Sequence, residues 1–168
     1  MKAKLLINNQ EIEVEISEDE YKKLLPKEKK TGYERVKNGD MSYYVDWKGE
    51  AVSGIDEHDD LDDITYEAAN YYSSPFVVEN NARADKLMRQ LRRFAVEHRE
   101  QELNWNDSDQ SKYFIYYKFP TSRFDIAYVN SIKRIGEIYF DSPETAQLAI
   151  DTFHDELIWY FTEYKDSL

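Results

Sequence analysis

Two long stretches of the chain carry apolar side chains at helical spacing, and each follows a Ser-Pro pair. After Ser142-Pro143 the apolar positions recur three and four residues apart as far as Tyr164, and a similar pattern follows Ser74-Pro75. A serine at this position caps the first helical turn, and proline is tolerated directly after it. The spacing predicts two long amphipathic helices, the first from about Phe76 to about Glu102. Its predicted buried face consists of Ala84, Leu87, Leu91, Phe94, Ala95 and His98.

Runs rich in β-branched and aromatic residues predict strands before and between these helices. The runs are 41–47, 50–53, 112–118 and 135–140, and the end of 64–72 also has an extended pattern. Hairpin steps connect several of them. We therefore expect an α+β fold, in which an antiparallel sheet of four to five strands has two long helices packed on one face.

The N-terminal residues have a pattern of their own. Alternating positions around Asn8-Asn9 predict a β-hairpin, and Ser17 with Glu20 is the signature of a capped short helix, which Pro26 ends. Residues 27–32 have no apolar anchor. The predicted organisation is an N-terminal β-hairpin plus short helix over residues 1–26, a linker over 27–33 and a main α+β domain over 34–168.

Composition limits the classes of function. The chain of 168 residues has a net charge of −12 and contains no cysteine, which excludes disulfides and thiolate metal sites. Neither a membrane-spanning run nor a signal-peptide pattern is visible, so we expect a cytoplasmic protein. An acidic chain is repelled by nucleic acid and anionic lipid and attracted by basic protein surfaces. We therefore expect a protein partner, with no direct nucleic-acid or membrane contact.

The acidity is concentrated before the first long helix. Residues 33–73 hold eleven acidic against three basic side chains, and six of the eight residues from Asp56 to Asp63 are acidic. A calcium loop of the EF-hand type fits poorly, because it needs glycine where the sequence has Leu61. Two further interpretations stay open: a solvated loop, and carboxylates that imitate nucleic-acid phosphates in a basic channel.

Aromatic residues supply the second candidate surface. The 14 tyrosines exceed what one core needs, so some are expected to be exposed. Sheets that stack bases on aromatic rings belong to basic domains, whereas tyrosine beside carboxylate is typical of protein interfaces. The aromatic residues predicted to contact a partner are Tyr43, Tyr44 and Trp159.

Recognisable catalytic patterns are missing from the sequence. It shows no Ser/His/Asp order, no glycine-rich phosphate loop and no HExxH-type motif, and its three histidines are scattered. The arginines of the first helix are interpreted as the polar face of an amphipathic helix rather than as a phosphate site. We expect a protein that is not an enzyme and has neither a cofactor nor a metal site.

Several short stretches recur together along nearly the whole chain: Lys30–Val36, Asn70–Tyr72, Asn104–Asp107 followed by Lys112–Tyr117, and Ile138–Ser142. In this combination the chain resembles a family of small phage and prophage proteins of Gram-positive bacteria. Many members have glycine at the position of Ala69. The shared motifs are strand ends and helix starts and bring no catalytic residue. The resemblance implies a phage accessory protein in the bacterial cytoplasm, a class that includes anti-CRISPR and other anti-defence inhibitors.

These observations lead to one functional hypothesis and one alternative. The hypothesis is a phage-encoded, non-enzymatic inhibitor that binds the basic nucleic-acid channel of a host defence nuclease, such as a CRISPR effector, by DNA mimicry. The alternative is a phage regulatory or virion-associated interaction module without mimicry. The sequence leaves homodimer formation open. The predicted partner-binding residues are Asp56, Glu57, Asp59, Asp60, Asp62, Asp63, Tyr43, Tyr44 and Trp159.

Overall fold

The computed structural model describes residues 2–7, 10–24 and 30–167. The chain divides into two compact units, residues 1–30 and 31–168. Within the described ranges, no helix is both long enough and apolar enough to cross a membrane.

The smaller unit is a hairpin followed by a short helix, as the sequence predicts. Strand β1 (Lys2–Ile7) pairs antiparallel with β2 (Gln10–Glu15), and helix α1 (Glu18–Leu24) follows. The hydroxyl of Ser17 accepts from the N–H of Glu20 at 3.2 Å, and the Glu20 carboxylate accepts from the N–H of Ser17 at 2.9 Å. This is the predicted capping box. The predicted stop at Pro26 and residues 27–29 of the predicted linker lie outside the described residues.

The larger unit contains two β-hairpins, each followed by a helix that begins with Ser-Pro. The first half comprises β3 (Met41–Val45), β4 (Ala51–Ile55), α2 (Asp60–Glu67) and α3 (Pro75–Glu97). The second half comprises β5 (Lys112–Lys118), β6 (Arg123–Val129), α4 (Pro143–Thr152) and α5 (His154–Thr162).

The fold is a mixed one of helices and antiparallel strands, but the predicted sheet of four to five strands is wrong. Each hairpin is a separate two-stranded sheet. One residue extends each of them: Tyr72 pairs with Tyr43, and Phe140 pairs with Tyr113. Both Tyr72 and Phe140 stand two positions before the serine that caps the next helix. The chain enters the helix directly afterwards, so the predicted strands at 64–72 and 135–140 are reduced to single bridges.

The helix starts agree with the sequence, whereas the helix lengths do not. Ser74 and Ser142 cap α3 and α4, with proline in the first turn of each. Helix α3 ends at Glu97, and His98 is its exposed C-cap, so its predicted place in the buried face is wrong. The second predicted helix is interrupted at Phe153, whose φ of −112° and ψ of 21° are not helical.

Helix α3 packs against both hairpins. Near its start Val77 and Val78 form a small core with Tyr72, against which Tyr43, Val45 and Ala51 pack. Further along, Leu87, Leu91 and Phe94 join the main core of the unit. The other buried residues of this main core are Ala95, Phe140, Ala146, Ala149, Ile150 and Leu157. The side chains that pack on it from β5 and β6 are Tyr113, Ile115, Phe124 and Ile126.

Residues 31–33, which the sequence assigns to the linker, belong to the larger unit. The carbonyl of Gly32 accepts from the N–H of Ser73 at 2.7 Å. The Glu34 carboxylate accepts from the N–H of Thr31 and from the hydroxyl of Ser73 at 3.1 Å. The backbone N–H of Thr31, followed by the backbone N–H of Glu34 itself and the hydroxyl of Thr31, lowers the pKa of Glu34 to about 2. The segment is thereby fastened to the turn that precedes α3.

Candidate functional site

Helix α2 lies in the most acidic part of the chain, where the sequence predicts a loop. Asp59 caps it: its carboxylate accepts from the N–H of Leu61 at 2.9 Å and of Asp62 at 3.0 Å. The Asp62 carboxylate in turn accepts from the N–H of Asp59, which completes a capping box. Two of the predicted contact residues, Asp59 and Asp62, therefore define the start of this helix. The three acidic residues of its first turn also stabilise it, because their negative charge lies at the positive end of the helix dipole.

Asp56 is the centre of a buried network, so its side chain is not exposed for the partner contact that the sequence predicts. Its side chain is 0% exposed. Arg35 binds it in a bidentate manner, with Nε–Oδ2 at 2.9 Å and Nη2–Oδ1 at 3.1 Å. The hydroxyl of Tyr71 and the N–H of His58 also donate to it, at 2.6 and 2.8 Å. The guanidinium of Arg35, followed by the Tyr71 hydroxyl, holds the pKa of Asp56 well below its ordinary value against the opposing effect of burial.

Arg35 fastens α2 to the network. Its Nη1 donates to Asp63 at 2.6 Å, and its guanidinium lies 5.4 Å from the ring centre of Tyr66 and 5.7 Å from that of Tyr71. Burial, followed by the hydrogen bond to Asp56, raises the pKa of the Tyr71 hydroxyl. Neither Arg35 nor Tyr71 is among the functional residues that the sequence predicts. Residues 33–73 contain eleven acidic side chains and only three basic ones, of which Arg35 is one. This imbalance is the sequence signal that indicates Arg35 as a partner for a carboxylate.

The remaining carboxylates differ in whether they have partners. Asp62 accepts from the N–H of Glu57 and Asp63 binds Arg35, whose guanidinium also lies over Tyr66. The side chains of Asp60 and Glu67, like that of Glu57, are exposed and have no hydrogen bond or ion pair within the part of the chain that the structure describes. Of the predicted acidic contacts, Glu57 and Asp60 are thus fully available, and Asp59, Asp62 and Asp63 have structural partners.

Exposed apolar side chains accompany these unpaired carboxylates on α2. Leu61 is 70% exposed and Ile64 is 62% exposed, and they lie three residues apart, which makes them neighbours on a helix surface. All eight residues of α2 are described, and none of them is buried. A surface helix normally buries its apolar side, so α2 presents an unpartnered amphipathic face. We call Glu57, Asp60, Leu61, Ile64 and Glu67 the α2 surface.

The predicted aromatic contacts have three different environments. Tyr44 is exposed, at 37%, on the side of the β3–β4 hairpin away from α3. Tyr43 is half-buried against the small core. Trp159 is buried at 8% exposure beneath Arg83, whose guanidinium carbon lies 4.0 Å from its ring centre, so it is not exposed for the predicted partner contact. Trp47, at 89%, is the most exposed of the three tryptophans and lies two residues after the end of β3.

Metal binding finds no support in the side-chain positions. In the part of the chain that the structure describes, no group of three His, Cys, Asp or Glu side chains is placed to hold a metal ion. The acidic stretch turns into α2 at Asp60, so the twelve-residue frame of an EF-hand loop is interrupted by a helix.

The α2 surface offers charge and apolar area side by side. Its three carboxylates are able to pair with lysine or arginine, and Leu61 and Ile64 are able to bury area in the centre of a contact. Comparisons of the chain with protein-family models, with curated proteins and with solved structures find no match.

Proposed function

We propose that this protein works by binding a partner protein with a basic surface through the α2 surface. The observation that supports this is the helix itself: it is capped and held by Arg35, yet none of its residues is buried and Leu61 and Ile64 face solvent among carboxylates. Exposed apolar side chains that lie together and are rimmed by charge are typical of interaction sites.

The nature of the partner follows from the charge. The chain has a net charge of −12, and three of its carboxylates lie on the α2 surface, where no basic side chain of the described residues pairs with them. Such a surface accelerates association with a basic protein and disfavours an acidic one. Proteins that handle nucleic acid have basic channels. Together with the resemblance to phage proteins, this leads to the specific proposal of a phage-encoded, non-enzymatic inhibitor of a host defence nuclease, such as a CRISPR effector.

Leu61 and Ile64 favour a second candidate, a phage regulatory or virion-associated interaction module without mimicry. Phosphate mimicry requires carboxylates alone, whereas two apolar side chains in the middle of the surface suit a partner that offers an apolar pocket. The two candidates predict different sensitivities to salt, because exposed charge pairs are screened and apolar contacts are not.

The test uses a charge variant, an apolar variant and a control. The charge variant changes Glu57, Asp60 and Glu67 to lysine, and the apolar variant changes Leu61 and Ile64 to serine. The control changes three other exposed carboxylates, Glu13, Glu15 and Asp109, to lysine and so has the same net charge as the charge variant. DNA cleavage by purified, guide-loaded effector nucleases of Gram-positive hosts is measured with each protein at low and high salt.

Mimicry predicts that wild type and control inhibit cleavage, that the charge variant does not, and that high salt weakens inhibition. An interaction module without mimicry predicts no effect on cleavage. It also predicts capture of a protein from host lysate that survives high salt and is lost with the apolar variant. If the charge and apolar variants both retain every interaction of wild type, the α2 surface is not the site.

A further inference from the structure

A groove of about 340 Å³ opens beside the main core, and none of the residues that line it belongs to the α2 surface. Its walls are apolar and come from three elements: Met88 and Leu91 of α3, Ile115 of β5, and Leu157 and Phe161 of α5. The segment 134–138 forms the remaining wall. Pockets of this size with mostly apolar walls and a few polar groups are typical of small-molecule sites.

Basic side chains lie where the groove meets solvent. Arg134 lines the groove and also a neighbouring depression, which Arg92 and Lys133 share with it. Arg92 and Lys133 are exposed, and neither forms an ion pair with a carboxylate of the described residues. Lys133 lies instead over the ring of Trp105, with Nζ 5.4 Å from the ring centre.

A single carboxylate, that of Glu137, lines both the groove and the depression. It already has partners within the protein. One of its oxygens lies 3.6 Å from Nη1 of Arg134, and the other accepts from the hydroxyl of Tyr139 at 2.9 Å. Three cations therefore face one occupied carboxylate. In a chain of net charge −12 this is a local reversal of sign, next to an apolar groove.

We propose that this groove binds a small amphipathic anion, a single-chain carboxylate. Its apolar chain lies between Leu91, Ile115 and Phe161, and its carboxylate contacts Arg134 at the rim, with Arg92 and Lys133 nearby. Charge complementarity selects this occupant, because arginine is suited to bidentate carboxylate binding and a neutral or cationic ligand leaves Arg92 and Lys133 without an anionic partner. Ile135, fully exposed on the turn formed with Gly136, adds apolar surface at the boundary between groove and depression.

Calorimetric titration of the full chain with three probes tests the proposal at low ionic strength. Decanoate has the chain and the charge, acetate has the charge alone, and decyltrimethylammonium has the chain with the opposite charge. Decanoate is expected to bind with one site per chain and at least about tenfold more tightly than either other probe. Because the whole protein is acidic, preference for the anion reports the local cations rather than the net charge.

Matched variants locate the site. Arg134→Gln is expected to weaken decanoate binding by about tenfold. Arg93→Gln is the control, since Arg93 follows Arg92 on α3 but is paired with Glu97. Met88→Trp is expected to fill the groove and abolish binding, with thermal unfolding as the check that the variant is folded. Equal affinity for decanoate and acetate, no binding of decanoate, or equal affinity of the Arg134 and Arg93 variants would each show that the proposal is wrong.

Discussion

Ala69 has a backbone conformation that glycine adopts at lower cost. Its φ of 55° lies in the left-handed region, where the β-carbon of an alanine is crowded. The residue ends the turn after α2 and places Asn70, whose side chain pairs with both the N–H and the carbonyl of Val45 at 2.9 and 2.8 Å. The left-handed conformation of Ala69 therefore allows Asn70, which follows α2, to bind the backbone of Val45 in the first hairpin.

Replacing Ala69 by glycine should stabilise the protein. The relief of left-handed strain, about 1–2 kcal/mol, exceeds the extra entropy that glycine loses on folding, so we expect a gain of about 0.5–1 kcal/mol. Ala68→Gly is the matched control, because Ala68 has φ −71° and gains nothing from glycine, and it should destabilise slightly. Urea denaturation measures both, and a loss of stability in Ala69→Gly would contradict the argument.

Asp56→Asn should destabilise the protein by about 2–4 kcal/mol. The change removes the charge from a buried group that accepts hydrogen bonds from Arg35, Tyr71 and His58, and charge-assisted bonds are the costly ones to lose. Asp60→Asn, on the exposed side of α2, should change the free energy of unfolding by less than about 0.5 kcal/mol. If the two substitutions prove equal in urea denaturation, the network does not hold the fold.

Asp56 and, in a separate set of hydrogen bonds, Glu34 predict that the protein is sensitive to acid. The folded pKa values of Asp56 and Glu34 are depressed below the ordinary values of 3.8 and 4.5. Groups of this kind contribute their full stability above those ordinary values and lose it as pH falls towards the folded pKa. The free energy of unfolding should therefore decrease as pH falls from about 4.5 to about 2, and the decrease should be smaller in Asp56→Asn, which no longer titrates at this position.

At the scale of elements, local signals in the sequence predict starts better than extents. Ser74-Pro75 and Ser142-Pro143 mark both helix starts, because capping depends on a few adjacent residues. The sheet is mispredicted because Ile135–Phe140 has the composition of a strand, but pairing depends on a neighbour that composition does not specify. The sequence does not predict helix α2, because its apolar positions are too few to form a clear helical pattern. Its capping box is also hard to recognise, because it consists of two aspartates inside an acidic run.

Helix α5 is buried on two sides, where the sequence predicts one. Leu157 belongs to the main core at 2% exposure, while Trp159 is buried beneath Arg83. We expect Leu157→Ala to cost about 2–5 kcal/mol and Trp159→Ala to cost a similar amount, because both leave a cavity. Thr162→Ala, on the exposed side, is the control. A small loss for Trp159→Ala, measured by thermal or urea unfolding, would restore the tryptophan as a candidate surface residue.

At the scale of the whole molecule, charge predicts the kind of partner but not the place of contact. Six acidic residues between Asp56 and Asp63 look equivalent in the sequence. The structure separates them, since Asp56 is buried, Asp59 and Asp62 cap a helix, and Asp63 pairs with Arg35. Burial of Asp56 and pairing of Asp63 both depend on Arg35, which is 21 residues away from Asp56 in sequence. Composition marks Arg35 as one of few basic residues in this region, but it does not specify which carboxylates Arg35 binds.

The boundary between the two units gives the last prediction. Removal of residues 1–30 should leave a cooperatively folding protein, because the larger unit begins at Thr31. Removal of residues 1–34 deletes four further residues and should destabilise it strongly. That truncation loses the Gly32 bond to Ser73 and the Glu34 carboxylate that binds the same serine. It also loses the contact of Gly32 with Val77, where a β-carbon on residue 32 would lie 2.5 Å from a methyl group. Urea transitions of the two truncations, followed by tryptophan fluorescence, measure the difference. Equal midpoints would mean that residues 31–33 belong to the linker, as the sequence predicts.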